Sequence, residues 1–274
     1  MNLRARRMIQ REFTRLSPAY TRVAAARPKR EVSEFVRWIH TRPDEWVLDA
    51  ACGPGTLAWA MAPLAARVCG LDLCPRMIRA AREAASHSSN SLFLTVGDVE
   101  HLPFPRGFFD LTTCTYAFAN LANPLRVVKE LARVTSPGGR VAIADVVAPE
   151  DPACCAYFNQ WEALRSSVYT RILKRSAFLE LFGRAGLYVE KWERHRRRRS
   201  FREWLSLSPA ASNPQRANRL RQMLLNSAKE DGVGLNPRRA RGDILFYHTT
   251  AWFLLSLLKF SKGGCYARNR FRQD

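Results

Sequence analysis

Short apolar runs alternate with helix-periodic segments through the middle of the chain. Residues 46–50, 68–71, 92–96, 110–114, 141–147, 187–192 and 245–258 read as strands, each a near-continuous apolar stretch. Between the earlier ones lie helical patterns at 56–64, 75–85, 124–134 and 176–183. Strands that carry no polar alternation are buried on both faces, so the pattern predicts a parallel sheet with helices on either side. Residues 1–40 read as helices. Ile9, Phe13 and Leu16 share a face of the first, Ser17-Pro18 opens the second, and Val32, Phe35, Val36 and Ile39 form its apolar stripe. Two stretches stand outside the alternation, 151–175 and 201–241. Both read as helical cover over the carboxyl edge of the sheet, the second containing an Arg-rich helix at 214–229 with Leu220, Met223 and Leu224 inward.

The stretch that organises the rest is Trp46-Val47-Leu48-Asp49-Ala50-Ala51-Cys52-Gly53-Pro54-Gly55-Thr56. A buried strand runs into a turn of small residues and then a helix, which is how α/β folds place a ligand at a strand's carboxyl end. Gly53 and Gly55 permit positive φ and put no side chain between backbone and ligand. A dinucleotide site needs Gly-x-Gly-x-x-Gly; here the small residues are Ala51, Gly53 and Gly55, with Ala58 at the third fingerprint position. Asp72 closes the second strand, where a carboxylate can accept from both hydroxyls of a ribose or cap the helix begun by Pro75. Asp98 follows the third strand in Val96-Gly97-Asp98-Val99, as an acceptor for a base amino group or as a turn residue. Thr115 and Tyr116 leave the fourth strand, and Ser136-Pro137-Gly138-Gly139-Arg140 turns into the fifth.

The net charge of +20 changes the picture of the surface, not of the fold. It implies attraction to anions: nucleic acid, an acidic lipid surface or an anionic substrate. His195-Arg196-Arg197-Arg198-Arg199 concentrates it and reads as a solvated loop after the sixth strand. The seven cysteines, Cys154 and Cys155 adjacent, show no Cys-x-x-Cys spacing, so reduced core thiols in a reducing compartment are expected, with no metal site. The longest apolar run, 251–258, falls short of the ~20 residues of a membrane span. Residues 1–11 carry no apolar signal core. They suit an amphipathic helix better than a transit peptide, and a cytoplasmic protein with at most peripheral membrane contact is expected.

Taken together, the five motifs resemble those of class I S-adenosylmethionine (SAM) methyltransferases over 46–145. Gly97-Asp98-Val99-Glu100, Leu102-Pro103-Phe104-Pro105 and Phe109-Asp110 resemble the ubiquinone/menaquinone-biosynthesis, or "type 11", group most closely. The resemblance implies a Rossmann-like α/β class I methyltransferase fold: a seven-stranded, mostly parallel sheet with helical cover. It implies a helical lid at 1–40, a SAM-binding core at 41–150, and the remaining strands with substrate cover at 151–274. It implies that Asp49, Ala51, Gly53 and Gly55 surround the methionine part of SAM, and that Asp72 holds the ribose. Leu73 and Met77 would lie against adenine, Asp98 and Val99 read its edge, Thr115 offers backbone to the methionine amine, and Tyr20 closes over the cofactor. Two positions depart from the pattern. Ala51 replaces the first glycine, and Ala119-Asn120 stands where many relatives place a pair of histidines, so no base is expected there.

These features point to methyl transfer from SAM to O or C of a small organic acceptor, phenol-like, quinone-like or a natural product. The sulfonium is already activated, so the protein must align the acceptor and exclude water, adding a base only where a proton leaves. Tyr20, Tyr116, Asn120 and His101 are candidates near the site, and Tyr157, Asn159, Trp161, Arg165 and Tyr169 on the cover. No motif singles one out, and packing explains each as well. Methylation of RNA or DNA is the alternative suggested by charge, but Ala117-Phe118-Ala119-Asn120 replaces the Asn/Asp-Pro-Pro-aromatic motif of base-amino methylation. A non-catalytic SAM-fold binding module is a third reading, disfavoured by the complete cofactor set.

Overall fold

The structure is a computed structural model that describes residues 3–26, 29–84, 91–166, 168, 171–229 and 232–258. Tyr169 and Cys265 lie outside the described residues, as does residue 85 at the end of the expected second core helix. The strands are β1 (Trp46–Ala50), β2 (Arg67–Asp72), β3 (Leu92–Val96), β4 (Phe109–Thr115), β5 (Thr135–Val146), β6 (Leu187–Ser200), β7 (Arg238–Ala240) and β8 (Asp243–Leu257). They form one sheet in the order β3-β2-β1-β4-β5-β8-β6, with β7 on β8. β1 to β5 pair in parallel, while β8 runs antiparallel to β5, β6 and β7. This is the class I methyltransferase arrangement, and the strand order reverses between β1 and β4, where such sheets open a ligand crevice.

The sheet has an eighth strand that the hydrophobic pattern did not reveal. β7 is three residues long and polar, and it exists because Arg241 (φ 36°) and Gly242 (φ 80°) make a two-residue hairpin turn onto β8.

The helices are α1 (Leu3–Ala26), α2 (Lys29–Ile39), α3 (Thr56–Met61), α4 (Pro75–Ala84), α5 (Pro124–Val134), α6 (Pro152–Ala163), α7 (Arg175–Arg184), α8 (Phe201–Ser206) and α9 (Pro214–Asn226). One face of the sheet buries Phe35, Val36, Ile39, Leu57 and Met61 of α2 and α3. The other buries Val127, Val128, Leu131, Phe178 and Phe182 of α5 and α7. A third cluster joins α6, α8 and α9 to the far half of β8 through Trp161, Trp204, Leu220, Leu224 and Phe246. Met223 is only half-buried there, its carbonyl taken by the Tyr157 hydroxyl at 2.6 Å.

Ser17-Pro18 does not open a second helix. α1 runs through Pro18, which removes one backbone donor. The carbonyl thus orphaned, that of Thr14, accepts instead from Ser17 Oγ at 3.1 Å. α1 then lies across α4, where Gln10 Nε2 donates to the carbonyl of Leu73 at 3.0 Å.

The arginine run is strand, not loop. β6 extends to Ser200, in register with β8 as far as Leu245. Nothing after Trp192 breaks it, and its alternation is hidden because both faces carry Arg. Arg194, Arg196 and Arg198 are exposed, whereas His195, Arg197 and Arg199 turn inward and are partly buried.

Candidate functional site

At the end of β1 the chain bends through Ala51 (φ 59°), Gly53 (φ 54°) and Gly55 (φ 83°) before α3 begins. The two glycines differ in what they need. A Cβ on Gly55 would sit 2.9 Å from Ala81 Cβ and 3.0 Å from Trp59, so that position requires small size as well as positive φ. A Cβ on Gly53 would meet nothing within 4 Å, and Gly53 itself lies on the wall of the cavity beside the bend. Ala51 holds the left-handed conformation without being glycine, at some steric cost.

Three carboxylates surround this bend, each held differently. Asp49 is buried beneath it at 1% exposure. Its Oδ1 accepts from Thr113 Oγ1 at 2.9 Å, and among the described residues its Oδ2 has no partner within hydrogen-bond geometry. Burial pushes its pKa up to about 7, against the opposing bond from Thr113. Asp72 accepts from the Gly53 N–H through Oδ2 and from the Cys74 N–H through Oδ1, both at 2.8 Å. Desolvation raises its pKa, offset by those two bonds. Asp98 accepts from the Glu100 N–H at 2.9 Å, so the turn role is real, and it also faces the cavity.

The cavity measures about 230 Å³. Ala51, Gly53, Asp72, Leu73, Met77, Asp98, Val99 and Thr115 line it, and Tyr20, Tyr116 and Asn120 also reach its wall. Asp49 and Gly55 are not on that wall. Asp49 lies under the bend and Gly55 inside the turn that starts α3. Val32, Phe35, Ala144, Leu207 and Trp252 add apolar lining.

Several candidates do not reach the cavity. His101 is exposed. Tyr157 and Trp161 donate to the carbonyls of Met223 and Leu220, and Asn159 bonds both the N–H and the carbonyl of Ile172. Arg165 stacks over Trp204 and pairs with Glu162. All four hold the cover together. Reading the sequence missed Glu31, Leu207 and Trp252. Only Trp252, a large aromatic in a long apolar strand, left a signal, and nothing in one dimension says which face it takes.

The wall suits an adenosyl sulfonium. Gly53 leaves space where a side chain would intrude, Asp72 presents two carboxylate oxygens for vicinal hydroxyls, and Leu73 and Met77 offer apolar surface to a base. The unpartnered Asp49 oxygen is a buried acceptor in need of a donor, such as an ammonium or a bound water.

Comparison with known proteins agrees. A family model described as "Methyltransferase domain" matches residues 48–143. The 2-phytyl-1,4-naphtoquinone methyltransferase of Synechocystis sp. is 32% identical over 164 residues, covering 56% of this chain and 68% of that protein. An uncharacterized methyltransferase of Bacillus subtilis, YcgJ, is 30% identical over 162 residues, 58% and 64% of the two chains. The demethylmenaquinone methyltransferase of Symbiobacterium thermophilum is 36% identical over 121 residues, 42% and 48%. The chain thus spans from about half to two thirds of the length of these relatives. The crystal structure of YcgJ superposes with a TM-score of 0.75 over 82% of this chain and 96% of that one, at 23% identity. A putative methyltransferase from Bacillus halodurans superposes at 0.74, with 24% identity. These two show the fold. The chain belongs to the SAM-dependent methyltransferases of class I, whose cosubstrate is S-adenosylmethionine.

Proposed function

We propose that the protein methylates a carbon of a reduced, naphthoquinone-like ring, using SAM. The observation that carries this reading is the mixed lining of the cavity: carboxylates and a glycine bend from the ends of β1 to β3, and aromatic and aliphatic side chains from α2, β5 and β8. A flat, lipophilic acceptor suits that apolar lining. The names of the relatives from Synechocystis and Symbiobacterium, both naphthoquinone-type methyltransferases, support the same class. The reduced form is required by chemistry, since a quinone is electron-poor and only its hydroquinol offers a nucleophilic ring carbon.

In this reading Asp72 takes the ribose, Asp98 and Val99 the adenine edge, Leu73 and Met77 its faces, and Thr115 and the 51–55 bend the methionine part. Asp49 takes the amine directly or through water. When bound, SAM supplies a methyl group already activated for displacement. The chain's task is to fix the acceptor in line and to exclude water. Tyr20 on α1 and Val32 and Phe35 on α2 form the roof that does so, the lid role proposed for the first forty residues. The test is incubation of the protein with SAM and a naphthoquinol that lacks its ring methyl, kept reduced by dithionite. Mass spectrometry should find one added methyl on ring carbon. Unchanged naphthoquinol under conditions where SAM binds would refute this choice of acceptor.

We also propose peripheral attachment to anionic membrane. Arg194, Arg196 and Arg198 share one exposed face of β6, and Arg196 lies 4.6 Å from the centre of the Tyr247 ring. Among the described residues no helix is long and apolar enough to cross a membrane. Sedimentation with phosphatidylglycerol vesicles should be salt-sensitive and should fail with phosphatidylcholine alone. Equal binding to both would count against this attachment.

A further inference from the structure

Ala119-Asn120 supplies no titratable base beside the cavity, yet the cavity wall contains a built acid–phenol pair a few residues away. Tyr116 follows Thr115 directly. It is a non-glycine residue at φ 54°, held by its N–H on the carbonyl of Ala144 at 2.9 Å. Such strain at a cavity wall persists only where surrounding contacts impose it. The Tyr116 hydroxyl donates to Glu31 Oε1 at 3.1 Å, and both residues line the cavity. Glu31 lies in the first turn of α2, so it brings the roof to the end of β4.

A cation stands behind this pair. Arg197, from the inward face of the arginine run, has its Nε 3.4 Å from the same Glu31 oxygen and its Nη1 3.8 Å from Glu34. Its guanidinium lies over Trp252 at 5.1 Å from the ring centre, and its Nε and Nη2 have no hydrogen-bond partner among the described residues. The approach to Glu31 is an ion pair without a hydrogen bond, so it orients a carboxylate without locking it.

We propose that Tyr116 and Glu31 are the proton-accepting pair for the acceptor's ring hydroxyl, with Arg197 as the positioning residue. This rests on the acceptor reading above. The hydroxyl of the hydroquinol gives its proton to Tyr116 Oη as the Tyr116 proton passes to Glu31. The ring carbon beside the resulting oxyanion forms a bond to the methyl group. The methyl–sulfur bond breaks and its electron pair stays on sulfur, leaving S-adenosylhomocysteine. Bond formation leaves the ring oxygen as a ketone carbonyl. Enolisation then removes the hydrogen of the methylated carbon as a proton and returns a proton to that oxygen, so the single proton released overall is the one on Glu31.

The experiment compares wild type, Glu31→Gln, Glu31→Asp, Tyr116→Phe and Arg197→Gln, using the reduced unmethylated naphthoquinol as probe. Calorimetry with SAM, run on each, reports folding and cofactor binding independently of turnover. Glu31→Gln and Tyr116→Phe should bind SAM as wild type does but lose on the order of 10²-fold in kcat, with KM little changed. Glu31→Asp should regain part of the kcat lost in Glu31→Gln. Arg197→Gln should lower kcat on the order of 10-fold with KM and SAM affinity little changed, as expected of a positioning residue. Wild-type turnover tests the acceptor reading, and the ratio of variant to wild type tests the pair. Glu31→Gln with wild-type kcat overturns the proposal.

Discussion

The N–H of Gly53 donates to Asp72 Oδ2 at 2.8 Å, so the bend after β1 and the acid that ends β2 form one unit. A ligand gripped by Asp72 is thereby held against the bend. Replacing Gly53 with Val meets no neighbour at Cβ but strains the backbone at φ 54° and adds bulk to the cavity wall, with circular dichroism run alongside to report the fold. SAM affinity is expected to fall on the order of 10²-fold, about 2.7 kcal/mol, by titration calorimetry. Undiminished affinity would place the ligand elsewhere.

Asp49 makes the site pH-sensitive. Its pKa stands near 7 because burial opposes its charge, so below that pH it is largely protonated. An ammonium nearby favours the ionised form, so binding must release a proton in acid solution. SAM affinity should therefore rise as pH rises toward 7 and fall again once free SAM loses its own ammonium proton, at about pH 8 for an α-amino group. Asp49→Asn should abolish the rise while weakening binding about 10- to 100-fold. Proton release follows from calorimetry in buffers of different ionisation enthalpy. A flat wild-type profile speaks against contact with the amine.

Ala51 is a modest liability. It holds φ 59° where glycine would be relaxed, and glycine's extra chain entropy cancels part of the benefit. Ala51→Gly should stabilise by about 0.5 kcal/mol, roughly 1–2 °C in Tm by calorimetric scan. A lower Tm would mean that the Ala51 methyl packs better than its backbone suffers.

The cover has a buried ionic core. Glu162 Oε1 lies 3.2 Å from His248 Nε2, and Glu162 Oε2 lies 3.4 Å from Arg165 Nη1. Truncation by Glu162→Ala should cost about 3 kcal/mol or more in chemical denaturation, because it strands the partners. Burial lowers the pKa of His248 despite Glu162. The folded state therefore resists its protonation, and stability is lost as pH falls below about 6.5. Asp49 and Asp145, both raised to about 7 by burial, act with the opposite sign, since their contribution falls as pH rises through 7. The advantage of wild type over His248→Gln should thus shrink from about pH 7 to about pH 5 in Tm measurements. A constant difference would show that His248 does not titrate on unfolding.

Most of the sheet was legible because both-face burial writes itself as continuous apolar runs. The Pro124–Val134 helix was read to its ends, since Asn123 caps it and Pro124 starts it. The convergence of Ala51, Gly53, Asp72 and Asp98 on one cavity was legible too, because strand ends in such folds share an edge. What escaped was set by contacts distant in sequence. β6 hid its length behind arginines on both faces, β7 depends on one turn, and α1 crosses Pro18 because Ser17 supplies the missing donor. Glu31 reads as an ordinary surface acid in a helix's first turn until Tyr116 and Arg197 are seen on either side of it.

The most direct measurement is a calorimetric titration of the purified protein with SAM. One site per chain should appear, with the heat lost in Asp72→Ala while circular dichroism shows the fold retained. Wild-type protein that takes up no SAM, or Asp72→Ala that binds it equally well, would contradict the account.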